Sequence, residues 1–177
     1  MKFIPTTLEG AYIIDIEPMI DMRGFFSRSW CSKEFKEHGL DHRLSQCSIS
    51  QNDIAGTLRG MHYQAKPHEE AKVVRCTAGS IYDVIIDMRP TSPTFKAWFS
   101  LELSAQNRRM IYIPQGFAHG FQSLTDNTEV FYQVTEFYHP ESSLSVRWDD
   151  PIFKIKWPEV DRRIISERDL SYPDFLL

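Results

Sequence analysis

Ten stretches of this chain alternate apolar and polar residues with a period of two, and that rhythm restricts the fold more than any other feature. They are Ala11–Glu17, Ser45–Gln51, Thr57–His62, Ala71–Cys76, Ile81–Met88, Ala97–Leu103, Arg109–Ile113, Ala118–Ser123, Glu129–Thr135 and Ser145–Trp148. Alternation of this kind marks strands with one face buried. Turn signals separate them: Ala78-Gly79-Ser80, Arg89-Pro90-Thr91-Ser92-Pro93 and Pro114-Gln115-Gly116. In the last of these Pro114 presets the first turn position and Gly116 closes it. One segment reads as helix, Ser32–His38, with Ser32 as N-cap and Gly39 just past its end. From Pro151 onward the chain mixes Pro, Trp and charges and suits short helical turns. There is no internal repeat, low-complexity tract or Gly/Ser linker, and 177 residues suffice for one sizeable core. The expectation is one domain over residues 1–177, an all-β antiparallel jelly-roll barrel with a few short helices. Such a barrel can hold a small ligand in its mouth.

Charge narrows the partners. With 20 Lys and Arg against 24 Asp and Glu, the net charge is −4, which disfavours nucleic acid and anionic membranes as partners. The first residues, Met1-Lys2-Phe3-Ile4-Pro5, carry no apolar run of signal-peptide length, and no stretch approaches a transmembrane span. The three cysteines, Cys31, Cys47 and Cys76, are odd in number and contain no CxxC. They read as reduced, partly buried thiols of a cytoplasmic protein.

The densest polar cluster in a strand-like segment is Leu58-Arg59-Gly60-Met61-His62-Tyr63-Gln64. Strict alternation puts Leu58, Gly60, His62 and Gln64 on one face, so His62 can point into the barrel. Arg59 then belongs to the other face unless the strand bulges at Gly60. A lone strand histidine is more often a satisfied structural residue, so His62 alone decides nothing. Lys72 follows on the next strand; a buried ammonium is costly, while a Lys on an exposed edge is ordinary. His119 lies between Gly116 and Gly120, which allow close approach of backbone or ligand. Tyr132 and Tyr138 share a face of one strand and read equally as core aromatics, and Asp169 reads as a solvated charge. A metal barrel using His62, His68, Glu69 or Glu70, and His119 is a rival. Metal-binding barrels of this kind usually carry two histidines one residue apart on a strand. Here Gln64 occupies that second position and His68 follows Pro67 in a loop, so no metal site is expected.

Taken in order, the motifs resemble the dTDP-4-dehydrorhamnose 3,5-epimerases. They are Asp21-Met22-Arg23-Gly24-Phe25-Phe26, Gly56-Thr57-Leu58-Arg59-Gly60-Met61-His62-Tyr63-Gln64 and Tyr82-Asp83-Val84-Ile85-Ile86-Asp87-Met88-Arg89. Then come Pro114-Gln115-Gly116-Phe117-Ala118-His119-Gly120-Phe121, Trp148-Asp149-Asp150-Pro151, Ile155-Lys156-Trp157-Pro158 and Ser166-Glu167-Arg168-Asp169. The resemblance runs nearly end to end and implies a cupin-like jelly roll that forms homodimers with exchanged N-terminal strands. It implies His62 as general base with Asp169 as carboxylate partner, and Tyr132 as general acid on the opposite face. Lys72, Arg59 and His119 would surround the sugar and its oxyanion. Arg23 would meet the diphosphate, Phe26 would line the nucleotide site and Tyr138 would stack on the base. Gln46, Ser48 and Arg168 fall at substrate-binding positions.

The chemistry agrees. A 4-keto group acidifies the hydrogens on C3 and C5 because the carbanion delocalises onto oxygen as an enolate. Histidine suits the base, since its ordinary pKa lies near neutrality. A cation beside the oxygen lowers the enolate's energy most in a dry pocket. A tyrosine can return the proton from the other face without carrying charge. No redox cofactor or metal is required, and the chain lacks a dinucleotide fingerprint. The implied reaction is conversion of dTDP-4-dehydro-6-deoxy-D-glucose to dTDP-4-dehydro-L-rhamnose. The alternatives are a one-centre epimerase on another sugar nucleotide and a non-catalytic binding barrel. Three positions depart from the family's usual residues: Arg28 and Ser143 replace Glu, and Ser48 replaces Asn. The two lost carboxylates would make the rim of the pocket more positive, and Ser48 would change any hydrogen-bond pattern it reads.

Overall fold

A computed structural model describes residues 1–176. Among the described residues, thirteen strands, two short α-helices and a 3-10 turn at Pro140–Ser142 follow one another. The strands are β1 (Lys2–Pro5), β2 (Tyr12–Asp15), β3 (Met19–Asp21), β4 (Gly24–Phe26), β5 (Gln46–Asn52), β6 (Leu58–Gln64) and β7 (Lys72–Ala78). They continue with β8 (Ser80–Asp87), β9 (Trp98–Ser104), β10 (Met110–Ile113), β11 (Phe117–Ser123), β12 (Thr128–Val134) and β13 (Ser143–Ser145). Helix α1 is Ser32–Glu37 and α2 is Glu167–Leu170. A six-stranded sheet has the order β1-β2-β10-β7-β12-β5, a five-stranded sheet β13-β6-β11-β8-β9, and β3-β4 forms a separate hairpin. The strand pairs within the sheets are antiparallel, as the alternation predicts.

Between the two sheets lies a buried cluster that includes Val74, Cys76, Ile81, Ile85, Ile111, Phe117, Phe121 and Val130. Their spacing of two or four along β7, β8 and β11 is the pleat made visible. The outer faces are covered as well. Phe35 of α1 packs with Ile14, Val73, Met110 and Tyr112 on the six-stranded sheet. Phe153 and Val146 from the C-terminal part pack with Met61, Val84, Ile86 and Ala118 on the five-stranded sheet. Double-sided cover explains why β8 reads as a nearly continuous apolar run.

The structure departs from the sequence expectations at the chain ends of several elements. The N-cap of α1 is Cys31, without a side-chain cap bond, and Ser32 is already helical. Gly39 has φ of +70° just after the C-cap His38, as expected. The strand expected at Ser145–Trp148 is instead β13, Ser143–Ser145. Backbone bonding to β6 runs one residue further, through the mutual pair of Val146 and Met61 at 3.1 and 3.2 Å, and beyond it the Trp148 carbonyl accepts from the indole N–H of Trp157 instead. Strands β1, β3 and β4 are too short to give a periodic signal. No helix among the described residues is long and apolar enough to cross a membrane.

Candidate active site

The inward pleat positions of the two sheets converge on a cleft at one end of the barrel. On the six-stranded sheet, cross-strand register sets Gln46 against Val134 and Val134 against Lys72, with Ser48 against Tyr132 in the next row. On the five-stranded sheet His62 is the register partner of His119. Two adjoining lobes of about 480 Å³ and 420 Å³ share Ser48, His62, Lys72, Tyr132 and Arg168 in their walls. The first adds Gln46 and Tyr138, and the second adds Arg59, His119 and Asp169.

Arg59 reaches this cleft because β6 carries an extra residue. Between His119 and Phe121 the register against β6 shifts, so two residues of β11 span three of β6, from His62 to Arg59. The bulge that would bring Arg59 to the His62 face is therefore present. Gly60 has φ of +138°, and a Cβ there would lie 2.5 Å from the Cα of Gly120. These glycines are demanded by the approach of two backbones. Arg59 is then oriented from across the cleft: its Nε donates to Asn52 Oδ1 at 2.8 Å and its Nη2 to the Gln51 carbonyl at 3.2 Å.

His62 Nε2 lies 2.7 Å from Asp169 Oδ1. A carboxylate only accepts, so Nε2 carries the proton and Nδ1 keeps the lone pair. The His62 side chain is 44% exposed, whereas that of Asp169 is 6% exposed. Far from a solvated surface charge, Asp169 is anchored in α2, where Ser166 Oγ caps its backbone N–H at 3.1 Å. Burial acts to raise the Asp169 carboxyl pKa, but the hydrogen bond and charge of His62, with Gly60 N–H and Ser166, hold it below the ordinary range.

His119 forms a second histidine–carboxylate pair, its Nε2 2.8 Å from Asp83 Oδ2. Both side chains are buried. Asp83 escaped the reading of functional residues, although an acid at an inward position between Ile81 and Ile85 was a legible signal. Tyr132 meets the His119 ring edge-on at 6.0 Å. Burial, and secondarily the charge of Asp83, pushes the Tyr132 phenol far above its ordinary value despite Arg59, so it stays protonated. Tyr138 stands at the mouth, its backbone N–H held by Gln46 Oε1 at 2.9 Å. Arg168 Nε donates to Tyr172 at 2.8 Å and Nη2 to Ser143 Oγ at 3.3 Å.

Three sets of residues weighed in the sequence lie apart from this chain's own cleft. Arg23 and Phe26 lie on the exposed β3–β4 hairpin and line neither lobe of their own chain; Arg23 pairs with Asp21 at 2.6 Å. Arg28 pairs with Glu34 of α1 at 2.9 Å, so it adds no positive charge to the walls of this chain's cleft. The cluster of metal-compatible atoms among the described residues joins His68, His139 and Glu141, outside both lobes. His62 and His119, which the metal-barrel alternative required, are instead bonded to Asp169 and Asp83.

Residues 5–176 match the family model of dTDP-4-dehydrorhamnose 3,5-epimerase. The chain belongs to that family. A relative of that name from Methanothermobacter thermautotrophicus is 43% identical over 97% of this chain and 92% of its own. The dTDP-4-dehydrorhamnose 3,5-epimerase structure from Elizabethkingia anophelis superposes with a TM-score of 0.96 at 38% identity, covering 99% of this chain and 96% of that one. The Legionella pneumophila epimerase, solved with dTDP-4-keto-L-rhamnose, gives 0.90 at 37% identity, covering 96% of this chain and 90% of that one. As an epimerase the chain is an isomerase-class enzyme.

Proposed function

We propose that the epimerase inverts C5 and C3 of dTDP-4-dehydro-6-deoxy-D-glucose to give dTDP-4-dehydro-L-rhamnose. The observation that carries this reading is the opposition of His62–Asp169 on one sheet and Tyr132 on the other, lining a single cleft. His62 Nδ1 removes the proton beside the ketone, and Asp169 holds the ring in the productive tautomer. Lys72 and Arg59 stabilise charge developing on the C4 oxygen, and His119, whose Nε2–H goes to Asp83, adds to this through an Nδ1–H in its imidazolium form. Neutral Tyr132 returns a proton to the opposite face, which inverts the centre. Gln46, Ser48 and Arg168 hold the nucleotide diphosphate end, and Tyr138 stacks on the base.

The same reading extends to assembly. The hairpin β3–β4 exposes Met19 (65%), Ile20 (80%), Met22 (100%) and Phe26 (69%), an apolar surface that water does not favour. Strand β5 is a sheet edge with Ile49 64% exposed. An unpaired edge and an unsupported hairpin complement each other. A homodimer that exchanges N-terminal strands would cover both and carry Arg23 and Phe26 to the partner's cleft. Residues 1–177 act as one jelly-roll domain in this reading, and the free Cys31, Cys47 and Cys76 suit the reducing cytoplasm.

The test is incubation with the 4-keto sugar nucleotide in D₂O without added metal, followed by NMR. Deuterium at both C3 and C5 with inversion is the expected result. Label at one inverted centre alone identifies a one-centre epimerase, and no exchange identifies a binding protein; either overturns the proposal. Competition among thymidine, uridine and cytidine diphosphate sugars checks the base, with preference for thymidine expected.

A further inference from the structure

We infer that Glu70 is a positioning residue that aims the Lys72 ammonium into the cleft. This rests on the role proposed above for Lys72 at the C4 oxygen. Glu70 and Lys72 stand one residue apart, and both line the larger lobe beside His62. Their side chains are 9% and 13% exposed, and Lys72 Nζ lies 3.0 Å from Glu70 Oε1. The same ammonium donates to the backbone carbonyl of His62 at 3.2 Å.

An ammonium has three N–H donors on a freely rotating head. The His62 carbonyl takes one and the Glu70 carboxylate faces another, which leaves the third for the cleft. The His62 carbonyl also ties the ammonium to the residue that abstracts the proton, so base and cation share one frame. Without Glu70 the four-carbon stem of Lys72 is free to swing, and a displacement of about 1 Å in such a group costs roughly 100-fold in rate. Packing does not account for the residue: Glu70 Oε2 is buried with no hydrogen-bond partner. A carboxylate oxygen left unpaired in a dry place lowers stability. Glutamine would fill the same volume with no charge to bury.

Three variants test this by deuterium exchange into dTDP-4-dehydro-6-deoxy-D-glucose and by thermal melting. Glu70→Ala is expected to slow exchange about 10- to 100-fold with KM nearly unchanged. Glu70→Gln, whose amide oxygen still accepts from the ammonium, restores most of the rate. In a Lys72→Met background Glu70→Ala produces no further loss, because its effect passes through Lys72. Wild-type exchange in Glu70→Ala overturns the inference. So does an equal additional loss in the Lys72→Met background, or an equal rate loss in both Glu70 variants with a lowered melting temperature. A slow Lys72→Met with a normal Glu70→Ala removes only the positioning role, whereas a normal Lys72→Met also removes the oxyanion role of Lys72.

Discussion

His62 and His119 are register partners on adjacent strands, each with a carboxylate, and in the proposed mechanism only His62 serves as the base. His62 opens to the cleft at 44% exposure, whereas His119 is 4% exposed and its Asp83 is sealed. A base needs an open lone pair; a fixed donor needs only an immobile ring. His62→Ala is therefore expected to lower the exchange rate by about 10²–10⁴-fold. Tyr132→Phe is expected to leave solvent exchange in place while inversion fails, which the stereochemistry of the deuterated product reports. Asp169→Asn lowers the rate by disturbing the His62 tautomer. It also changes the acid limb of stability. The native Asp169 carboxyl titrates below its ordinary 3.8, so its contribution is complete above that value and is lost as pH falls through the lower native one. Urea denaturation at about pH 5 and about pH 3 should show a smaller acid loss in Asp169→Asn than in wild type.

At the scale of elements, the bulge in β6 decides which side chains enter the site. It lets Arg59 and His62 share a face although they are three residues apart. The bulge depends on Gly60 and Gly120, whose backbones pass so closely that a Cβ on Gly60 would meet Gly120 at 2.5 Å. Gly60→Ala is expected to destabilise the fold by about 1–3 kcal/mol, from overpacking and from the positive φ. It should also raise KM, because β6 must move away from β11 and carry Arg59 with it. Denaturant titration alongside steady-state kinetics checks both. The short α2 does comparable work for Asp169: one turn, capped by Ser166, seats a carboxylate under β6.

At the scale of the whole molecule, the apolar cluster between the sheets adjoins a cleft that the edge strand β5 borders with Gln46 and Ser48. Replacing Ile20 and Phe26 together by Ser removes two large, strongly exposed apolar side chains of the hairpin. Sedimentation of this double variant at micromolar concentration is expected to give monomer where wild type gives dimer. Its KM for the sugar nucleotide should rise, since Arg23 and Phe26 would no longer reach the partner's cleft. A wild-type monomer would remove exchange as the account of the exposed hairpin.

The sequence by itself determined the barrel and most of the chemistry-bearing residues. Period two fixes which side chains share a face, and turn residues fix where strands end; both are local effects written in neighbouring residues. That is why β5, β7, β8, β11 and β12 were legible, whereas Lys72 stayed open between a buried cation and an exposed edge until the fold set it against the cleft. The tertiary structure decided what depends on residues far apart in the chain. Asp169 reads as a surface charge until its contact with His62, 107 positions away, buries it. Asp83 gains its role only when β8 pairs with β11 and brings it to His119. Arg28 reads as a pocket position in the sequence, and only the fold pairs it with Glu34 of α1, away from its own chain's cleft. Hydrogen bonds and buried ion pairs act over about 3 Å, and only the folded chain sets which groups come that close.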